Sequence, residues 1–448
     1  MSKTFTLSKG LDIRLKGEAE KVLREVTALH YAVKPTDLTG VFPRLLVKEG
    51  DAVLAGTPLF QDKHHENICF PSPVSGTVAE IKRGDKRALL EIRIEPDGKN
   101  GQINFGASDP SKLTKAEITD KLLKSGLWSL IRQRPYGIIA NPEHTPKAIH
   151  ISAFDTAPLA PDLDFVVNGK GDLFQTGLDA LAKLTGGKLH LNIGSTTSAK
   201  EFLNSRNVEI NTFKGAHPAG NVGIQIHHLD PINKGDVVWF AGVQDIITIG
   251  HLFKEGVYNP EIIVALAGSS VIKTGYYKTR RGACIYKMVE GNVRDGNLRY
   301  ISGNVLTGKQ IRHDSFIGYY DSLITAIPEG NYHEFLGWAL PGLNKLSFSR
   351  SFFTWIMPGK KYEADTNLHG GERAFVMTGQ FEKVFPMNIY PMQLIKAAIA
   401  EDIERMEKLG IYEVEPEDLA LCEFIDTSKT EIQTIIRNGL ELVRKEMS

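Results

Sequence analysis

A chain of 448 residues and 49.6 kDa is too long for one hydrophobic core and predicts three or four folding units. Its 53 lysines and arginines balance 53 aspartates and glutamates, so no net field draws it onto nucleic acid or anionic lipid. Three cysteines far apart in sequence, Cys69, Cys284 and Cys422, offer neither a disulfide framework nor a Cys/His set for zinc or an iron–sulfur cluster, which predicts a reducing compartment and no metal site.

The first residues run directly into charged sequence and resemble no signal peptide. Two facing half-motifs follow, residues 47–60 (VKEGDAVLAGTPLF) and 71–81 (PSPVSGTVAEI), each alternating apolar residues with turn glycines. They look like the halves of a biotinyl/lipoyl-type barrel. Such a barrel normally carries a modified lysine on the hairpin between its halves; here His65 holds that register and Lys63 stands two residues away, so a barrel kept as scaffold is expected. The turn-rich linker at 95–101 closes a first unit over 1–100. Thr114 followed by Glu117 is a capping-box pattern that opens a helix with Ile118, Leu122 and Leu123 on one face. Apolar runs at 148–151, 165–167, 189–193 and 237–240 alternate with helical segments at 173–184 and 199–204, which predicts a Rossmann-like α/β domain over 101–257. Runs at 262–266 and 283–286, joined through Gly268, Gly275 and Gly282, predict a small β-grasp domain over 258–330. Loops and two amphipathic helices, 391–409 and one holding Ile432, Ile435, Ile436, Leu440 and Val443, make up 331–448. The most apolar stretches, 236–253 and 261–272, are interrupted by Asp236 and Asp245 or too short to span a bilayer, so no transmembrane segment is expected.

This order of parts resembles the A-subunit family of the sodium-translocating NADH:quinone reductases of bacteria. The resemblance spans essentially the whole chain and is carried by residues 125–135 (SGLWSLIRQRP), 215–220 (GAHPAG), 238–245 (VWFAGVQD), 369–375 (HGGERAF) and 418–422 (DLALC). It implies a peripheral subunit on the cytoplasmic face of the bacterial inner membrane. That subunit belongs to a six-subunit respiratory complex that moves electrons from NADH to ubiquinone or menaquinone and drives sodium out. It also implies that the principal neighbour is a membrane-embedded, flavin-bearing subunit, with FAD, FMN and 2Fe-2S on partner subunits and quinone as a candidate ligand. Flavoprotein cousins place a glycine-rich loop where residues 125–135 stand. Here Trp128, Leu130, Ile131 and Arg132 replace the glycines that would let backbone N–H groups approach a phosphate. The 215–223 turn keeps its glycines, but no acidic residue follows to engage a ribose. One cysteine at 422 cannot hold a cubane cluster. Tightly bound flavin or nicotinamide is therefore not expected, nor is a complete catalytic site in this chain alone.

Candidate quinone or partner contacts are Trp128, Arg132, Arg134 and Tyr136 in one neighbourhood, and Arg350, Phe352 and Trp355 in another. The run 352–358 (FFTWIMP) reads first as a core strand, then as an edge docked on a membrane subunit, then as a quinone wall. His217 before Pro218 suits a tight turn. The adjacent pairs His64-His65 and His227-His228 would diverge on strands, which argues against a shared ion. His369 and Arg373, beside Gly370-Gly371, suit a loop that grips a carboxylate or a partner's backbone. Two other classes stay open on residues alone: a free-standing flavin or quinone oxidoreductase, and a carrier-type or ligand-binding scaffold.

Overall fold

The computed structural model describes residues 3–330, 332–337 and 340–447. Two small sheets face each other as the barrel-like unit. One has the order Tyr31–Val33, Leu89–Pro96, Gly76–Arg83, Ala52–Val53; the other has the order Pro43–Leu45, Pro58–Asp62, Cys69–Pro71. The apolar alternation lands inward as expected, with Val53, Leu59, Val74 and Val78 buried beside the stacked rings of Phe60 and Phe70. Lys63 and His65 sit at the tip of the hairpin that joins Pro58–Asp62 to Cys69–Pro71. Asp62 is spoken for there, accepting the Phe42 and His64 backbone N–H groups.

Strand pairing takes the first residues out of this unit. Thr4–Thr6 runs parallel to Glu209–Lys214 at the edge of the α/β sheet, and Leu23–Glu25 runs parallel to Gly275–Arg280 at the edge of the six-stranded sheet. Thr4–Thr6 and Leu23–Glu25, ahead of the first barrel strand, thus each serve a different sheet. Such short edge segments carry little periodicity of their own, and register with a distant strand decides where they go.

The α/β domain centres on a seven-stranded sheet in the order Thr4–Thr6, Glu209–Lys214, Lys188–Gly194, Ala148–Ser152, Val238–Phe240, Arg132–Arg134, Ile138–Ile139. The chain steps outward from Ala148–Ser152 through two parallel strands, then returns to place Val238–Phe240 on the opposite side. The sheet therefore has its topological switch point between Ala148–Ser152 and Val238–Phe240. The run 165–167 is not a strand: Asp162 accepts the Phe165 N–H and caps a helix, Leu163–Val167. Thr114 and Glu117 form the expected capping box of helix Lys115–Lys124. Helices Gly171–Ala182 and Val243–Glu255 lie unusually close, because Gly177 faces the Ile246 carbonyl and Gly250 the Leu173 carbonyl where any Cβ would collide.

The six-stranded β-grasp sheet runs Lys309–Ile311, Leu298–Ser302, Leu323–Pro328, Glu261–Ala267, Gly275–Arg280, Leu23–Glu25. The strand that follows Glu261–Ala267 in sequence is Gly275–Arg280; the expected strand at 283–286 is reduced to isolated bridges of Ala283 with Tyr31 and Cys284 with Phe316 before the short helix Tyr286–Val289. The helix expected over 391–409 is two helices, Pro391–Ile399 and Ile403–Lys408, broken where Glu401 takes a left-handed φ of 54° and Asp402 caps the second by accepting the Arg405 N–H. The terminal helix, Ile432–Met447, buries Ile432, Ile436, Leu440 and Val443 as its period requires. Gly250→Ala is expected to lower stability by about 1–3 kcal/mol through overpacking of the two apposed helices, read as a lower urea midpoint at unchanged slope.

Candidate functional site

Ligands of open α/β sheets settle beyond the carboxyl ends of the strands at the switch point, and a cleft of about 230 Å³ lies there. Ser152, Phe154 and Asp155 line it beyond the Ala148–Ser152 strand; Phe240, Ala241 and Gly242 line it beyond Val238–Phe240. His217, Gly220 and Asn221 close a third side, and Tyr320 and Asp321 reach in from the β-grasp domain.

Arg281, which also lines this cleft, is paired with Asp245, whereas Arg132 is the cleft's cation without a carboxylate partner in hydrogen-bond reach among the described residues. Its guanidinium stands 4.5 Å from the centroid of Phe240 and 4.3 Å from that of Tyr320, and its buried Nε has no hydrogen-bond partner. The Tyr320 hydroxyl donates to the Ser129 carbonyl at 2.8 Å, which fixes the upper ring. His217 is held by a 3.1 Å contact between Nδ1 and Thr156 Oγ1, while its Nε2 is buried and unpartnered. Burial holds this imidazole at about 4, so it is neutral near pH 7. Asp155 opens onto the cleft but is hemmed in by protein, and desolvation followed by the nearby Glu417 raises its carboxyl. Deeper, Arg281 pairs with Asp245 at 2.5 Å and donates to the Tyr319 carbonyl. This buried pair ties the start of helix Val243–Glu255 to the β-grasp domain.

The glycine-poor loop is filled as its composition implies. Leu127–Leu130 is a buried 3-10 turn whose Trp128 indole donates to the Ala140 carbonyl at 2.7 Å and meets Trp239 edge-on. Gly126 is retained for contact with the barrel, since a Cβ there would stand 2.7 Å from Pro71 Cδ. Trp128 is fully buried and is corrected from a ligand contact to a core residue. Arg134 needs the same correction. It is completely enclosed, paired to Asp418 at 2.6 Å and Glu417 at 2.7 Å, and donates to the Glu413 carbonyl. Tyr136, half-buried, packs edge-on against Tyr412, and its carbonyl accepts from Arg437.

The tail candidates lie elsewhere. The run 352–358 is no core strand but a surface 3-10 turn, Phe353–Ile356, with Phe353 54%, Trp355 53% and Ile356 60% exposed. The Arg350 guanidinium lies over Trp355, and the Lys345 ammonium over Phe352. His369 sits 3.6 Å from Asp365 on an exposed loop, and the Arg373 backbone N–H donates to the Ser428 carbonyl. The structure therefore brings Arg132 and His217 to one cleft and Arg350, Phe352 and Trp355 to one surface turn. His227 and His228 lie on helix Val222–Leu229 and not on a strand. Sequence reasoning missed Phe240 and Tyr320. The first had a signal, an apolar run ending in a Gly242 turn into a helix; the second had none.

Three family models match the chain: the NqrA N-terminal barrel-sandwich hybrid domain at residues 5–97, the NqrA second alpha/beta domain at 113–258 and the NQRA C-terminal domain at 263–313. Similar curated proteins include the Na(+)-translocating NADH-quinone reductase A-subunit of Rhodopirellula baltica, 37% identical over 98% of each chain. Those of Yersinia pestis bv. Antiqua and Tolumonas auensis are each 36% identical, over 98% and 99% of this chain and 99% and 100% of theirs. Among solved structures, an H2-reduced NAD+-reducing [NiFe]-hydrogenase aligns at 11% identity and a TM-score of 0.37 over 76% of this chain and 63% of that one, too distant to carry an argument.

Arg134→Ala leaves a buried carboxylate unmatched and is expected to cost about 3–5 kcal/mol, whereas Arg134→Met with Asp418→Leu recovers most of it; urea unfolding of the three proteins checks this. His217 stays neutral in the fold while the unfolded chain gains a proton below its ordinary 6.5. Its contribution is thus complete above that pH and is lost as pH falls toward 4, by up to about 3 kcal/mol. His217→Gln is expected to flatten the stability-versus-pH curve in this window.

Proposed function

The chain belongs to the A-subunit family of the Na(+)-translocating NADH-quinone reductases, and on that premise we propose that it is the peripheral subunit that completes the complex beside the membrane and offers quinone a binding cleft. The observation that carries the subunit role is the match at 36–37% identity along essentially the full chain. Among the described residues no helix is long and apolar enough to cross a membrane, which suits attachment through a partner. The flavins and the 2Fe-2S centre are assigned to partner subunits. Within this chain the flavin loop is occupied by Leu127, Trp128 and Leu130, all buried.

Two surfaces divide the work. The cleft has what a quinone head group needs: the aromatic ring of Phe240, apolar Leu163 and Val243, and two buried nitrogens without partners, Arg132 Nε and His217 Nε2. Arg132 would donate to a quinone carbonyl and strengthen that bond as negative charge develops on the oxygen during reduction. The neutral His217 would orient the ring. The second surface is the exposed turn Phe353–Ile356, with cations above Phe352 and Trp355. Apolar side chains of this size stay in water only at a cost, and their cationic collars suit the interfacial zone of a membrane-embedded partner. His369 and Arg373, on an exposed loop later in the chain, would add a further contact to a partner.

Both surfaces can be tested in a strain lacking the native chain. Trp355→Glu is expected to release most of the chain from the membrane fraction and from its flavin-bearing partner while the purified chain keeps its unfolding midpoint. Retention at the wild-type level would exclude the turn from docking. Arg132→Gln is expected to leave assembly intact and raise the KM for quinone about tenfold, the loss of one charged hydrogen bond; an unchanged KM would remove quinone from the cleft.

A further inference from the structure

The sheet face beneath helix Val222–Leu229 carries a polar stripe where an apolar one is expected. His150, His190 and Glu209 occupy matched positions on three adjacent parallel strands, and Asn192 and Asn211 occupy the next matched level. His150 is fully buried and His190 nearly so, yet neither ring nitrogen of His150 has a hydrogen-bond partner. An apolar pair would fill this space at lower cost, and buried polar groups left unpaired call for an explanation.

Asp230, just past the end of the helix, supplies it. Its Oδ2 lies 3.2 Å from His190 Nε2 and 3.8 Å from His150 Nε2, and the three ligand atoms fall within 4.8 Å of one another. The imidazoles stack with centroids 4.6 Å apart and planes 29° apart, and both Nε2 atoms lie near the one carboxylate. Ligands about 2.0–2.2 Å from a tetrahedral zinc ion stand about 3.4 Å from each other, so the set must tighten and the stacked rings must turn toward each other for one ion to lie along both Nε2 lone pairs. We propose that His150, His190 and Asp230 bind one divalent transition-metal ion, zinc by preference, with water in the fourth position. Two imidazoles and one carboxylate select zinc and its neighbours over magnesium and calcium, which want oxygen shells. The second layer of partners is at hand for His190: Nδ1 faces Asn211 at 3.1 Å and Glu209 at 3.8 Å, and the unpartnered Asn211 Oδ1 offers an acceptor once Nε2 carries the metal. Asp230 is 27% exposed at its side chain, which provides the entry path. The sequence conceals this set, because His150 and His190 lie far apart and match no spaced motif. Bound there, the ion would clamp two strands of the α/β sheet to the helix that forms one wall of the cleft.

The full-length chain, stripped with a chelator and titrated with Co2+ and then Zn2+, decides the matter. One equivalent of Co2+ is expected to bind with the intense d–d absorption of a four-coordinate site, to be displaced by Zn2+, and to weaken about tenfold or more in Asp230→Asn while His369→Gln behaves as wild type. X-ray absorption on the wild-type zinc protein is expected to show imidazole nitrogen and oxygen and no sulfur. The last measurement needs no variant to fold. No saturable uptake, a sulfur-containing or all-oxygen shell, or undiminished binding in Asp230→Asn would each overturn the proposal.

Discussion

A guanidinium shut away from water must be matched by carboxylates, and Arg134 is where this chain meets that constraint. It leaves the sheet on the strand Arg132–Arg134 and reaches Asp418 and Glu417, 284 and 283 residues later. Glu415, beside them, is paired with Arg437 of the terminal helix, so the ionic set binds the α/β sheet to two separate pieces of the helical region. Burial pushes Glu415 up to about 7 despite these two arginines. At Glu415, then, desolvation outweighs the attraction of both guanidiniums. The value of the ionic set is positional: Glu417 and Asn221, held together through the Asn221 side chain and the Glu417 carbonyl, both reach the cleft.

From that anchor the division of labour follows. The loop before Arg134 turns inward as core, with Trp128 against Trp239. Arg132, on the same strand, meets the opposite outcome and stands half-open between Phe240 and Tyr320. Successive residues of a strand face opposite ways, so the placement of Arg132 and Arg134 on one side of the sheet follows from their spacing of two. What separates them is depth: Arg134 lies under the C-terminal region, and Arg132 lies at the cleft.

Much of this was legible in the sequence because it is local. The alternation of 47–60 and 71–81, the Thr114/Glu117 cap and the period of 432–443 each depend on neighbours a few residues away. The misreadings share the opposite property. FFTWIMP has the composition of a buried strand, and only the absence of a covering element among the described residues leaves Trp355 in solvent. Arg134 was legible as an arginine beside a tryptophan, but its carboxylates were not, being almost 300 residues distant. Glu401 broke a helix whose apolar stripe runs through the break, since a left-handed residue leaves no trace in hydrophobic spacing. Thr4–Thr6 and Leu23–Glu25 were absorbed by sheets through partner strands, Glu209–Lys214 and Gly275–Arg280, that lie far along the chain.

Every part of this structure suits a chain that works within a complex and not alone. The decisive experiment is affinity purification of the tagged chain from detergent-solubilised membranes of its own bacterium, followed by an assay of NADH:quinone reductase activity with and without sodium. Sodium-stimulated activity is expected in the eluate, together with flavin-bearing partner subunits. A chain that elutes alone from the soluble fraction without that activity would contradict a role within a complex.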